Sequence, residues 1–265
     1  MADDRVRFGV AGWSYPDWKG VVYPRDCKDT LRAVAQRVGL IEINTTFYRP
    51  PSAKNCRSWV ERTEDLGTRF TAKLPREFTH ERSRDPALVA TCREGFAPLV
   101  DSGRLYGLLA QFDYRFAYGA ATVEHLATIA AAFADTQLFV EVRHRSWNEQ
   151  PALDALQGLG VTVLELDYPG MQSGFGRDVT GVHGRAGTAY FRLHGRNPAW
   201  FQKGAGRDEV YDWRYRPAEV EQIGQRLQRI VNASARTLVV ANNHFHGKAV
   251  QLIEDLLAWY RAHAT

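Results

Sequence analysis

A chain of 265 residues with 45% hydrophobic and 24% charged residues has the composition of a folded globular protein, which excludes disordered and fibrous classes, and the length of one eight-fold β/α barrel. A net charge of +4 admits polyanions as partners without requiring them, and no stretch approaches the ~20 apolar residues of a membrane span, so no membrane partner is expected. Cys27, Cys56 and Cys92 are odd in number and lack metal-type spacing, and residues 1–5 carry no apolar signal core; free thiols in a reducing cytoplasm are the expectation.

Eight apolar runs read as strands, at 6–11, 40–43, 69–74, 105–110, 137–142, 161–166, 189–193 and 237–241. Seven of them end in a polar or aromatic knot. The first runs into Gly12-Trp13-Ser14-Tyr15, the second into Asn44-Thr45-Thr46-Phe47-Tyr48, the third into Pro75-Arg76-Glu77 and the fourth into Gln111-Phe112. The fifth leads to Arg143-His144-Arg145-Ser146-Trp147, the seventh to His194-Gly195-Arg196-Asn197 and the eighth to Asn242-Asn243-His244. Only the sixth ends modestly, in Asp167-Tyr168-Pro169.

Helical spacing fills the intervals. Leu31, Val34, Ala35 and Val38 recur at i, i+3, i+4 and i+7, with Gly39 as a stop. Asp85-Pro86 is a cap and a first-turn proline ahead of the stripe Val89, Cys92, Phe96 and Leu99. Similar stripes run through Leu126, Ile129, Ala130 and Phe133, through Val220, Ile223, Leu227 and Ile230 after Pro217, and through Ile253, Leu256, Leu257 and Tyr260. Weaker helices are expected at 53–62 and 151–159.

Strand and helix in alternation require a parallel sheet, and eight strands favour closure. The expected fold is a single TIM-like (β/α)8 barrel domain over residues 1–265. Its sixth helix should be irregular or replaced by a long loop, because 167–188 holds six glycines from Gly170 to Gly187. A second excursion, 194–216, is rich in Arg and Trp. In such a barrel all strand C-termini meet on one rim, where active sites sit.

Several of these segments, read in order, resemble the YecE-like family (DUF72), bacterial and archaeal proteins classed as a domain of unknown function. They are Gly12-Trp13-Ser14-Tyr15 with Trp18-Lys19-Gly20 and Tyr23-Pro24, Ile41 to Tyr48, Phe70 to Arg76, Glu141 to Trp147, Tyr190 to Asn197, and Asn242-Asn243-His244. The resemblance covers nearly the whole chain and implies a TIM-like barrel; it supplies no reaction. Gln111-Phe112-Asp113-Tyr114 departs from it, since prolines are expected after Gln-Phe.

Strand side chains alternate, so residues two apart share a face. With the more polar parity inward, the upper barrel gathers Glu42, Lys73, Gln111, Glu141, Arg143, Arg192, His194 and Asn242, with Asn44 on the same face as Glu42. Buried ions must be mutually paired. Such a set is either a structural salt-bridge layer or a preorganised site for an anionic ligand, with Glu42, Lys73, Glu141 and His194 as candidate catalytic groups. Gly195 and Arg196, with Asn197, suit anion binding after the seventh strand, or a tight turn. Asn242 and Asn243 offer neutral polar contacts, and Trp13, Tyr15 and Tyr48 frame the rim beside Trp200, Phe201 and Tyr211. His144 has the opposite parity and should lie outside the barrel or in the loop.

The first functional expectation is binding of a phosphate-bearing ligand, a small anion or a nucleic acid, with acid/base chemistry and no metal or other cofactor. A metal-dependent phosphodiesterase or nuclease, with Glu42, Glu141, His194 and His244 as ligands, stays open. So does a non-catalytic nucleic-acid binder. Sugar hydrolysis by Glu42 and Glu141 ranks last, because neighbouring cations suit no general acid.

Overall fold

The computed structural model describes residues 5–171 and 174–263; residues 1–4, read above for a signal core, lie outside the described residues, as do 172 and 173 within the long excursion. Its strands are β1 Val6–Ala11, β2 Leu40–Ile43, β3 Arg69–Lys73, β4 Leu105–Gln111, β5 Leu138–Glu141, β6 Thr162–Val163, β7 Glu165–Asp167, β8 Thr188–Leu193 and β9 Arg236–Ala241. They pair in parallel in the order β6-β5-β4-β3-β2-β1-β9-β8-β7. The sixth expected strand is broken at Leu164, with β6 pairing to β5 and β7 to β8. The two ends of the sheet are therefore consecutive in the chain, and the sheet curls into a nearly closed barrel.

Around it lie α1 Thr30–Ala35, α2 Ala53–Arg62, α3 Arg76–Thr79, α4 Pro86–Asp101, α5 Ala120–Ala132, α6 Gln150–Gly158, α7 Arg207–Val210, α8 Pro217–Asn232 and α9 Lys248–His263. The expected signals operate. The Asp85 carboxylate accepts from the Ala87 N–H at 2.9 Å, Pro86 opens α4, and Cys92, Phe96 and Leu99 are buried. Val220, Ile223, Leu227 and Ile230 make the buried stripe of α8. The first helix ends at Ala35, a turn earlier than its apolar spacing suggests. No helix among the described residues is long and apolar enough to cross a membrane.

Parity behaves as alternation requires. Phe8 points outward to Tyr260 of α9, whereas Phe139 and Tyr190 meet edge-on inside the barrel at 4.9 Å. The inner face of the strands thus carries Glu42, Thr71, Glu141, Tyr190 and Arg192, all buried.

Between β7 and β8, where a sixth crossover helix would lie, the described residues form no helix. The returning chain pairs antiparallel at Thr162 and His183, and Val163 N–H donates to the Val182 carbonyl at 2.8 Å. Glu165, fully buried, accepts from the Thr180 N–H and hydroxyl at 2.8 and 2.7 Å. Arg226 of α8 donates to the carbonyls of Leu166, Arg177 and Asp178, each at 2.6 Å. One buried guanidinium so supplies donors that a helical backbone would otherwise provide. Replacing Arg226 by Met leaves those carbonyls without this donor and Glu165 with the Thr180 bonds but without its arginine. A loss of about 3–5 kcal/mol in urea unfolding is expected, with earlier proteolysis between 167 and 188; an unchanged midpoint would show that the segment is held otherwise.

Candidate functional site

The C-terminal mouth of the barrel is organised by Arg192. Rising from β8 in the barrel centre with no solvent exposure, it donates through Nη2 to Glu42 Oε1 on β2 at 2.8 Å and through Nη1 to Glu141 Oε2 on β5. Gln111, at the end of β4, accepts from Nη1 at 3.3 Å. The Tyr190 hydroxyl donates to the other Glu42 oxygen at 2.5 Å and lies 3.0 Å from the Thr71 hydroxyl. Arg143 donates through Nε to Glu141 Oε1 at 2.8 Å. Burial alone would raise the Glu141 pKa, but Arg192, Arg143 and His194 outweigh it and hold this carboxyl well below the usual carboxylate range.

Glu42 and Glu141, candidate catalytic groups, and Arg192, a candidate ligand contact, are paired as expected of buried charges. The structure spends all three on one another, because a charge in the barrel interior must find its counter-ion within the protein.

His194 sits above them. Asn242 Nδ2 donates to its Nδ1 at 3.0 Å; with the amide so oriented, the ring proton is on Nε2, 3.5 Å from Glu141 Oε1. Burial pushes the imidazole pKa down to about 4; Glu141 opposes this and Arg192 adds to it. The ring is therefore neutral at pH 7.

Lys73, ending β3, is the exception. Among the described residues its ammonium forms no ion pair or hydrogen bond, and it lies 5.6 Å from the centre of the Phe47 ring. Burial lowers its pKa to about 8, assisted by Arg192 and resisted by Glu42 and Glu141. Lys73 faces a hollow of about 180 Å³ with Tyr15, Asn44, Phe47, Tyr48, Tyr211, Asn242 and His244. There Tyr15 stacks on His244 at 4.4 Å, and Asn44 Oδ1 is buried without a hydrogen-bond partner among the described residues.

A second hollow of about 680 Å³ opens beside it, lined by Arg143, His144, Arg145 and Trp200 among others. Trp200 also meets His194 at 5.4 Å and Tyr211 at 5.6 Å, so this ring stands between the two spaces.

Six residues expected at the ligand line neither hollow: Gln111 and Arg192, already described, and Trp13, Arg196, Asn197 and Asn243. Arg196 is clamped by the Asp167 carboxylate, with Nη2 to Oδ1 at 2.7 Å. The Gly195 N–H donates to the Tyr215 hydroxyl at 3.0 Å, which itself donates to Asp167 at 2.7 Å. The positive φ of Gly195, 89°, serves packing: a Cβ there would lie 2.8 Å from Trp213. Asn197 caps the short helix Pro198–Phe201 and donates to the Glu209 and Asp212 carbonyls, Trp13 packs edge-on against Trp59, and Asn243 donates to the Trp213 carbonyl. His144 lies in the loop after β5, as its parity predicts, and lines the larger hollow. Tyr190 and Thr71 were missed, although the parity that selects Arg192 and Lys73 also selects them. Among the described residues no group of three or more His, Cys, Asp or Glu is placed to hold a metal ion, so the ligand set proposed for a metallohydrolase does not form.

A parallel α/β barrel with a polar, internally neutralised mouth is the class these features define. The chain belongs to the DUF72 family: the model of that family, described as a protein of unknown function, matches residues 7–264. It is 24% identical over 267 residues to the UPF0759 protein YunF of Bacillus subtilis, covering 95% of this chain and 93% of that one. A DUF72 protein of Thermotoga maritima superposes with a TM-score of 0.82 at 29% identity, covering 97% of this chain and 98% of that one. A DUF72 protein of Enterococcus faecalis gives 0.82 at 21% identity, covering 97% and 95%. A D-psicose 3-epimerase, at 0.54 and 18% identity, shares the fold.

His194 makes stability depend on pH. The unfolded imidazole takes up a proton below about pH 6.5, but the folded one does so only near pH 4. Stability is thus complete above pH 6.5 and falls as pH drops toward 4, by roughly 3 kcal/mol from this residue. Denaturant titrations at pH 7 and 4.5 should show this loss, and His194→Gln should flatten it; an equal slope in both proteins would refute the assignment.

Proposed function

We propose that the barrel mouth binds a small phosphate-bearing ligand, with Lys73 as its counter-ion and as the group that carries a proton to or from it. The observation behind this reading is the charge pairing around the mouth. Arg192 neutralises Glu42 and Glu141, Arg143 reinforces Glu141, and Lys73 faces the 180 Å³ hollow with no carboxylate of its own among the described residues. A partly buried ammonium without an ion pair destabilises the fold, a cost that a bound anion offsets.

Neutral groups complete the hollow. Asn44 Oδ1 is an acceptor in need of a donor, which fits a ligand carrying a hydroxyl as well as a phosphate. A lysine with its pKa near 8 exchanges protons readily near neutral pH, as general acid/base catalysis requires. Glu42, Glu141 and Arg192 then act as positioning residues that fix the electrostatic field around Lys73. The free thiols Cys27, Cys56 and Cys92 fit a reducing compartment, the cytoplasm.

Lys73→Met separates this reading from a purely structural role. At pH 7 it should raise the unfolding free energy by roughly 1–3 kcal/mol, since it removes a disfavoured charge, while phosphate affinity falls tenfold or more by calorimetry. A structural layer predicts the reverse, a destabilised protein with unchanged anion affinity.

The pH dependence provides an independent check with sulfate, whose own charge is constant over the range. Affinity should hold below pH 8 and fall about tenfold per pH unit above it, as Lys73 loses its proton. Sulfate affinity that is constant to pH 9.5 would exclude Lys73 as the counter-ion.

A further inference from the structure

The hollow of about 680 Å³ beside the mouth differs in chemistry from the one at Lys73. Its walls include four aromatic rings, Tyr114, Tyr168, Trp200 and Phe201, and two arginines, Arg143 and Arg145; among the described residues no carboxylate lines it. All six follow the C-terminal ends of strands, on the same rim as Lys73.

Two of the rings, Trp200 and Tyr168, are held before any ligand arrives. The Trp200 indole N–H donates to the Val210 carbonyl at 3.0 Å, and its face lies 5.1 Å from the Arg143 guanidinium carbon. The Tyr168 hydroxyl donates to the Phe175 carbonyl at 2.8 Å. Gly170 lets two rings approach: a Cβ there would stand 2.7 Å from Phe201 and 2.9 Å from Tyr168. Phe201 and Tyr114 nevertheless remain 66% and 71% exposed, an apolar surface that neither packing nor solubility explains. Arg145 is exposed and has no ion pair or hydrogen bond among the described residues. Fixed aromatic faces interleaved with arginine are the chemistry that binds a flat heteroaromatic ring, and the volume is that of a small-molecule site.

We propose that this hollow is a ring-stacking subsite and that the ligand of the barrel mouth is a nucleoside monophosphate, its base held among Tyr168, Trp200 and Phe201. The inference rests on the phosphate reading of the Lys73 hollow and names the substrate class for it. The two spaces adjoin at Trp200, which lines the larger and touches Tyr211 of the smaller. A free nucleotide is favoured over a nucleic-acid strand because the smaller hollow, about 180 Å³, has room for one phosphate group.

Titration of the full chain with AMP, GMP, CMP and UMP, with inorganic phosphate and with the unphosphorylated nucleosides, read by calorimetry and tryptophan fluorescence, tests the proposal. At least one monophosphate should bind tenfold or more tightly than phosphate, and its nucleoside should quench tryptophan emission weakly. Phe201→Ala, at an exposed position where folding is not at risk, should reduce that advantage about tenfold. Trp200→Phe, which keeps a ring but loses the indole N–H bond, should reduce it less.

Monophosphates that bind no better than inorganic phosphate would overturn the ring subsite and leave the anion site standing. Nucleoside binding sensitive to Phe201→Ala, with phosphate binding indifferent to Lys73→Met, would do the opposite. Tighter binding of a short single-stranded oligonucleotide than of any monophosphate, with affinity falling steeply in salt, would overturn the choice of a free nucleotide.

Discussion

The guanidinium of Arg192, held between Glu42 and Glu141 across the upper barrel, is the interaction on which the mouth depends. Its partners come from strands on different parts of the ring, β2 and β5, so it fixes their separation as well as neutralising their charge. Barrel interiors are ordinarily filled by branched apolar side chains. Here Phe139, Tyr190 and Thr71 make a mixed layer below, and the tyrosine hydroxyl links that layer to Glu42. The result is a polar floor whose members are mutually satisfied.

Because that floor absorbs both carboxylates, it determines what the remaining groups are able to do. Glu141, held well below the usual carboxylate range by Arg192 and Arg143, has no proton to give near neutral pH. His194, drained of its charge by burial, is a neutral hydrogen-bonding ring. Lys73 combines partial burial, no counter-ion among the described residues, and a cavity in front of it. A cation kept in this state weakens the fold, and the proposed anion would offset that cost.

The second determinant is that the described residues between β7 and β8 form no crossover helix. Arg226 and Glu165 tie the excursion after β7 to α8 and to β7 itself. The same excursion brings Tyr168 and Gly170 to the rim opposite Trp200 and Phe201 from the excursion after β8. The larger hollow therefore lies between two irregular segments, where side chains are free to depart from barrel regularity.

Much of this was legible in the residues themselves. Hydrophobic runs separated by helical stripes dictated a parallel barrel, and two-residue alternation put Glu42, Glu141, Arg192, His194 and Lys73 on its inner face. Glycine content marked the segment unable to form a helix. Pairing was another matter, since one-dimensional periodicity says which side chains face inward and not how far apart they end. Only the folded barrel decided that Arg192 lies within reach of residues 150 and 51 positions away. It also decided that Arg196 falls to Asp167, that Gly195 makes room for Trp213, and that Lys73 has no ion pair among the described residues. Those outcomes are set by curvature and strand stagger, through distances of a few ångströms over which charges either meet or do not.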